Sequence, residues 1–334
     1  MERIRFGVLS TAKIGRTKVI PAIQSSELCR VTAIGSRDEA AARAAADALS
    51  IPKAYGSYEA LLADPDIDAV YIPLPNHLHV PWAVKSLEAG KHVLCEKPIG
   101  LNTVEANALI NAEGRYPDLK IMEAFMYRHH PQWIEAKRLV DEGAIGELRT
   151  IQSFFSYFND DPANIRNKAD IGGGAMMDIG CYNISLSRFI FNAEPARGIG
   201  FMDRDPDFGT DRLFSGMLEF RGRISSFTCS TQLADHQRVN IFGTEGRIEI
   251  LIPFNAPPDR PCAIILQRDH APDGEKLRTI TFDTCDQYSL QADAFARAIL
   301  DDTRPPATLN DAYANMQVLE RLIKSAGDGT WVRC

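Results

Sequence analysis

The sequence predicts a parallel, doubly wound α/β unit followed by an α+β unit on a large, mostly antiparallel open sheet. Short β-branched apolar runs alternate in the first part with Ala- and Leu-rich stretches of helical length, as in strands joined by crossover helices. Later in the chain, strand-like runs follow one another without helices between them. Finally, 334 residues exceed what one hydrophobic core usually serves. Two domains are therefore expected, 1–126 and 127–334, with the C-terminal helix packing back on the first.

Taken in order, Ile4–Leu9, Val31–Gly35, Ala69–Ile72, His92–Cys95 and Lys120–Ala124 read as strands, being short, apolar and bounded by turn residues. Between them Arg16–Gln24, Glu39–Leu49, Tyr58–Leu62, Val80–Ala89 and Thr103–Ala112 suit helices, with Gly90 as a C′ residue and Asn102 or Thr103 as an N-cap. Pro131–Gly143 reads as helical. Glu147–Phe158, Leu213–Phe220, Ile224–Thr231, Arg238–Phe242 and Arg247–Leu251 are the strands of the second half. Pro257–Pro261 is a loop, and helices Asp286–Asp301 and Leu309–Ser325 close the chain.

Composition narrows the function. A net charge of −7 without a Lys/Arg run argues against nucleic acid, and no apolar run approaches a membrane span. The start, Met1-Glu2-Arg3-Ile4, moves straight into a strand pattern, so a cytoplasmic chain with a small-molecule partner is expected. Seven scattered cysteines include no C-x-x-C pair and read as reduced thiols; Cys95, at an apolar strand end, reads as structural rather than nucleophilic.

The turn after the first strand, Ser10-Thr11-Ala12-Lys13-Ile14-Gly15, stands where a dinucleotide fingerprint belongs, with Ser10, Ala12 and Gly15 at the three G-x-G-x-x-G positions. Ser and Ala allow backbone N–H groups to approach a pyrophosphate at the helix start if φ stays negative. The second strand ends about 20 residues later on Ser36 and Arg37, the distance the Rossmann layout requires. A hydroxyl and a planar cation, with no acid to face the ribose, favour NADP over NAD.

Two further strands end in Leu74-Pro75-Asn76-His77-Leu78-His79 and Glu96-Lys97-Pro98, where open α/β sheets bind ligands. His77 and His79 lack a third partner, so no metal is assigned. Gly172-Gly173-Gly174 opens a helix in which Asp178 and Tyr182, four apart, share a face. A phenol there can exchange a proton with a carbonyl or hydroxyl if a cation such as Lys97 assists; an N-cap Asp and a packing Tyr fit the spacing equally well.

Four stretches, Ala89–Pro98, Glu123–Arg128, Gly172–Tyr182 and Gly243-Thr244-Glu245-Gly246, resemble the glucose–fructose oxidoreductase, inositol dehydrogenase and rhizopine-catabolism (Gfo/Idh/MocA) family over essentially the whole chain. The resemblance implies a catalytic group of Lys97, Asp178 and Tyr182 and a cis Lys97-Pro98 bond. Tyr182, where inositol dehydrogenases carry His, resembles the branch of glucose–fructose oxidoreductase, dihydrodiol dehydrogenase and xylose dehydrogenase, which commonly uses NADP. Lack of an export signal departs from periplasmic glucose–fructose oxidoreductase.

The activity expected is hydride transfer between C1 of a pyranose aldose and nicotinamide, with Tyr182 exchanging the anomeric proton, Lys97 assisting it and Asp178 orienting the sugar. Ser10, Thr11, Ala12, Ile14, Gly15, Ser36, Arg37, Leu74, Pro75, Asn76, His79, Glu96, Lys97 and Arg166 are the expected cofactor contacts. Arg128, Phe154, Tyr157 and Asn164 join the catalytic group as candidate pocket residues, although Phe154 and Tyr157 fit core or dimer contacts as well. A homodimer through the open sheet is expected. The alternatives are a reductase of ketosugars or dicarbonyls, a dihydrodiol dehydrogenase, and a non-catalytic NADP-binding regulator.

Overall fold

The computed structural model describes residues 3–272, 274 and 276–334, so Met1 and Glu2 of the opening stretch lie outside the described residues. The chain divides into two compact units, one of Met1–Met126 with Gln287–Tyr313, the other of Tyr127–Asp286 with Ala314–Cys334.

In the first unit β1 (Ile4–Leu9), β2 (Cys29–Gly35), β3 (Lys53–Tyr55), β4 (Ala69–Ile72), β5 (His92–Cys95) and β6 (Ile121–Glu123) form one sheet in the order β3-β2-β1-β4-β5-β6. All its pairings are parallel. The connections are helical: α1 (Ile20–Ser25), α2 (Glu39–Leu49), α3 (Tyr58–Leu62), α4 (His79–Glu88) and α5 (Thr103–Glu113). Asn102 Oδ1 accepts the Glu105 N–H at 2.9 Å to cap α5, and Gly90 follows α4 at φ +73.

Both faces of the sheet are buried. Phe6, Val8, Ile34 and Leu94 join Ile20 and Ile23 in one layer, while Ala33, Val70, Val93 and Cys95 join Leu61, Leu87 and Leu109 in the other. Strand order reverses between β1 and β4, so the carboxyl ends of the strands open a crevice there, the usual ligand position in such sheets.

The second unit opens with α6 (Pro131–Asp141), capped by the His130 ring, and β7 (Leu148–Phe158). After α7 (Cys181–Phe191) come β8 (Arg197–Arg204), β9 (Asp211–Phe220), β10 (Arg223–Ser230), β11 (Gln232–Gly243), β12 (Gly246–Ile250), β13 (Cys262–Arg268) and β14 (Leu277–Phe282). The chain then forms α8 (Gln287–Leu300), α9 (Leu309–Asp328) and β15 (Val332–Arg333). The nine strands run in the order β14-β13-β12-β11-β7-β10-β9-β8-β15, and only the β7–β10 pairing is parallel. This is the mostly antiparallel open sheet that the strand runs predict.

Period-two alternation sorts its residues. Along β7, Phe155 and Tyr157 stand on the α7 side, where Phe155 meets the Tyr182 ring at 5.8 Å. Phe154 faces the opposite way and meets His236 of β11 at 5.5 Å. Residues 287–313 complete the first unit: Ala292, Phe295 and Ala296 of α8 are fully buried in the core layer that holds Phe6 and Val8. Among the described residues no helix is long and apolar enough to cross a membrane.

Candidate active site

The turn after β1 departs from the simple expectation for a serine. Ser10 stands at φ +147, not at the negative φ anticipated, and its Oγ accepts the Ala12 N–H at 3.0 Å. That local bond offsets part of the cost of a backbone region that side chains disfavour. Helical residues 13–25 follow at once and contain a π turn, Gly15–Val19. A Cβ on Gly15 would lie 3.5 Å from Pro73 Cγ, so this glycine sits against the end of β4 in ordinary contact.

At the end of β2, Ser36 is nearly buried and Arg37 exposed. Asp38, an acid that the sequence reading passes over, is turned into its own helix: its Oδ1 accepts the N–H groups of Ala40 at 2.9 Å and Ala41 at 3.2 Å. The carboxylate thus stabilises the first turn of α2.

The ends of β4 and β5 are tied by a buried histidine. His79, placed among the cofactor contacts by the sequence, is 1% exposed; its Nε2 lies 2.8 Å from Leu74 O and its Nδ1 2.7 Å from Pro98 O. Burial pushes its pKa down to about 4; a neutral ring donates its one N–H to one of these carbonyls and packs against the other. That is a structural role, beside which the cofactor contact remains an expectation from the sequence. Glu96 accepts a hydrogen bond from Tyr71 Oη at 2.7 Å, and Glu123 accepts the Ile99 N–H at 2.8 Å, so carboxylates brace both flanks of Lys97-Pro98. The Lys97-Pro98 bond is cis.

In the second unit the glycine run lets two segments close on each other. Gly174 stands at φ +110, and a Cβ there would fall 1.9 Å from Asp211 Oδ1. Asp211 Oδ2 accepts the Met176 N–H at 2.7 Å, so this 6%-exposed carboxylate caps the helix opening from another strand. Burial pushes its pKa up to about 6 against that bond.

The helix begins with a π turn, Met176–Gly180, before α7. Asp178 and Tyr182 therefore share a side of a widened turn, not of a regular α-helix. Insertions of this kind recur at functional sites. Asp178 is not an N-cap. Its Oδ2 accepts from Tyr157 Oη at 2.5 Å and from Arg166 Nε at 2.7 Å. Asp178 holds the Arg166 guanidinium firmly charged, while burial first and Asp178 second push the Tyr157 phenol well above its ordinary value.

Tyr182 is 5% exposed, with its ring packed among Tyr127 and Phe155 at 5.8 Å and Phe254 at 5.3 Å. Neither Phe155 nor Phe254 was singled out in the sequence, although Phe155 was one residue from a named candidate.

The structure thus brings Asp178, Tyr157 and Arg166 together. Arg128 Nη2 donates to Ser185 Oγ at 2.7 Å, fixing α7 from behind. Asn164 Oδ1 accepts the Arg166 N–H at 3.0 Å and shapes its own loop. Phe154 points to the other face of the sheet, which corrects its place among the pocket residues. Among the described residues no group of three or more His, Cys, Asp or Glu could hold a metal ion.

Comparison with known proteins gives a consistent setting. Residues 4–122 match the model of an oxidoreductase family with an NAD-binding Rossmann fold, and residues 133–249 match the GFO/IDH/MocA C-terminal domain. An uncharacterised oxidoreductase of Rhizobium meliloti is 47% identical over 99% of both chains. The D-xylose 1-dehydrogenase (NADP(+)) 2 of Haloferax volcanii is 40% identical over 98% of both. Among solved structures, a 3-ketoreductase from Actinomadura kijaniata in complex with NADP and TDP-benzene superposes with a TM-score of 0.89, 30% identity, and coverage of 97% of this chain and 98% of that one.

Proposed function

Since the chain belongs to the GFO/IDH/MocA oxidoreductase family, we propose that it is an NADP(H)-dependent sugar oxidoreductase acting at C1 of a pyranose aldose. The observation that carries this reading is the fixed carboxylate of Asp178, clamped by Arg166 and Tyr157 one turn before Tyr182. A merely structural helix opening has no need of a two-donor clamp on an acid that is not its N-cap.

The residues at the nucleotide end fit the cofactor. The Ser10–Gly15 turn presents the start of helical residues 13–25 to a pyrophosphate, and Ser36 with Arg37 offers donors to a 2′-phosphate while Asp38 is engaged in its own helix. Thr11, Ala12 and Ile14 belong to the same turn, and Leu74, Pro75 and Asn76 follow β4 at the same carboxyl edge of the sheet. Bound NADP supplies the hydride acceptor. The 40% identity to an NADP(+)-dependent xylose dehydrogenase supports this choice.

The chain's own groups do the rest. Tyr182 Oη takes the proton from the anomeric hydroxyl as the aldose is oxidised and returns one in the reverse direction. Lys97 assists by favouring the ionised phenol. Asp178, held still, accepts from a sugar hydroxyl and fixes the ring. Apolar rings of Tyr127, Phe155 and Phe254 keep water from the flank of Tyr182. The protein works in a reducing cytosol, where its cysteines remain thiols, as a homodimer through the open sheet.

The test is a panel of aldoses and ketoses, xylose and glucose among them, followed by absorbance for NADP reduction and NADPH oxidation. Aldose-dependent NADP reduction, lost by about two or more powers of ten in Tyr182→Phe, is the expected result. Turnover confined to NADPH with ketosugars would replace the aldose reading with the ketoreductase one, which the likeness to the Actinomadura kijaniata enzyme favours. No turnover in either direction would leave a nucleotide-binding regulator.

A further inference from the structure

The two donors that hold Asp178 come from different places: Tyr157 stands next to the last residue of β7, and Arg166 belongs to the loop that follows. A loop arginine that stands still must be held, because its backbone and its long side chain both lose freedom.

The residue beside it does the holding. Asn167 is 5% exposed, and its Nδ2 donates to Asp161 O at 2.9 Å and Asn159 Oδ1 at 3.1 Å, with Asn159 O at 3.4 Å. Two of these acceptors are backbone carbonyls, so the amide nitrogen and not the amide oxygen faces them. Asn159 is anchored to the sheet in turn, its N–H donating to Thr231 O at 2.8 Å. The Asn167 amide therefore ties the residue after Arg166 to the strand end that carries Tyr157. Around it the Arg166 backbone is fixed on both sides, the N–H by Asn164 Oδ1 at 3.0 Å and the carbonyl by the Gly174 N–H at 2.8 Å. A Cβ on Gly173 would lie 2.5 Å from Arg166 O, so the glycine run lies directly against this loop.

We propose that Asn167 is a positioning residue for sugar binding, holding Arg166 and Tyr157 at the separation from which both donate to Asp178. The inference rests on the reading of Asp178 given above. With the amide in place, the clamp is ordered on folding and not at the expense of binding. Without it the loop opens, the Arg166 side chain, already 41% exposed, turns to solvent, and the carboxylate loses its fixed direction. Sugar affinity then falls, while proton transfer at Tyr182 keeps its own groups.

The test is steady-state kinetics with D-xylose and with D-glucose at saturating NADP, on wild type, Asn167→Ala, Asn167→Asp, Arg166→Ala and the Asn167→Ala/Arg166→Ala double variant, with thermal melts alongside. Asp keeps the shape of Asn and removes the donor. Both Asn167 variants are expected to raise the sugar KM about tenfold, with kcat changed less than about threefold. The double variant should be no worse than Arg166→Ala, since the amide acts through the guanidinium. Asn159→Ala removes one acceptor from the other end and should raise KM about threefold, which serves if the Asn167 variants do not fold. A role in stability alone would lower the melting temperature and kcat and leave KM untouched, and that result would overturn the proposal, as would additive losses in the double variant. If KM rises in Arg166→Ala but in none of the asparagine variants, this inference falls and the reading of Asp178 stands. An unchanged KM in Arg166→Ala, or no turnover of either sugar by wild type, would overturn both.

Discussion

Asp211 shows how one side chain can organise a site without facing a substrate. Its carboxylate fills the space left open at Gly174 and receives the Met176 N–H, yet burial still raises its pKa from 3.8 to about 6. For an acid whose folded pKa is raised, the stability contribution is full below the unfolded value and is lost as pH rises through the folded one. Between pH 4 and 7, wild type should therefore lose stability relative to Asp211→Asn, by up to about 3 kcal/mol across the window. Denaturant unfolding at several pH values measures the difference, and a pH-independent gap would refute it.

Glycines 172–174, Asp178 and Tyr182 were legible in the sequence because they form one motif. Asp211 was not, because a cap supplied from another strand leaves no local spacing to read. Ser10 was legible by position, but its positive φ was not, since the compensating Ser10–Ala12 bond belongs to the folded turn.

At the scale of elements, the loops that follow β4 and β5 are joined by His79. Replacing it with Ala leaves Leu74 O and Pro98 O without this partner in a buried place, which should cost about 2 kcal/mol of stability. Turnover should fall as well, because the loop holding Lys97 loosens. Thermal unfolding and steady-state kinetics would show both; a stable variant with full turnover would remove His79 from any positioning role.

Strands of the first unit were read closely because buried parallel strands are continuous apolar runs. β3 escaped notice with three half-buried residues, Lys53–Tyr55. β8 escaped for a different reason. Its glycines weaken the strand pattern, and Gly200 is required because a Cβ there would lie 2.4 Å from Phe214 Cζ. The π turn at Met176–Gly180 was unreadable, since over five residues its spacing cannot be told from that of an α-helix.

For the whole molecule, the open face of the nine-stranded sheet bears on assembly. Phe201 is 67% exposed and Met217 37%, on the face opposite α7 where Phe154, Ser215 and Thr228 also stand. Exposed apolar groups on an uncovered sheet favour isologous pairing. Light scattering should give twice the mass of the 334-residue chain, and Phe201→Asp should shift the protein toward monomer with the first unit's nucleotide binding retained. A wild-type monomer at working concentration would contradict this.

The division of the chain bears on how it is made. The core layer built on Phe6, Val8 and Val31 also contains Ala292, Phe295 and Ala296, which are translated after the Tyr127–Asp286 part of the second unit. The nucleotide-binding unit is begun first and completed only after most of the second unit has been made. During synthesis its sheet carries an unfilled apolar side for most of the chain's length, so the nascent protein offers a chaperone binding surface that closes only when α8 emerges.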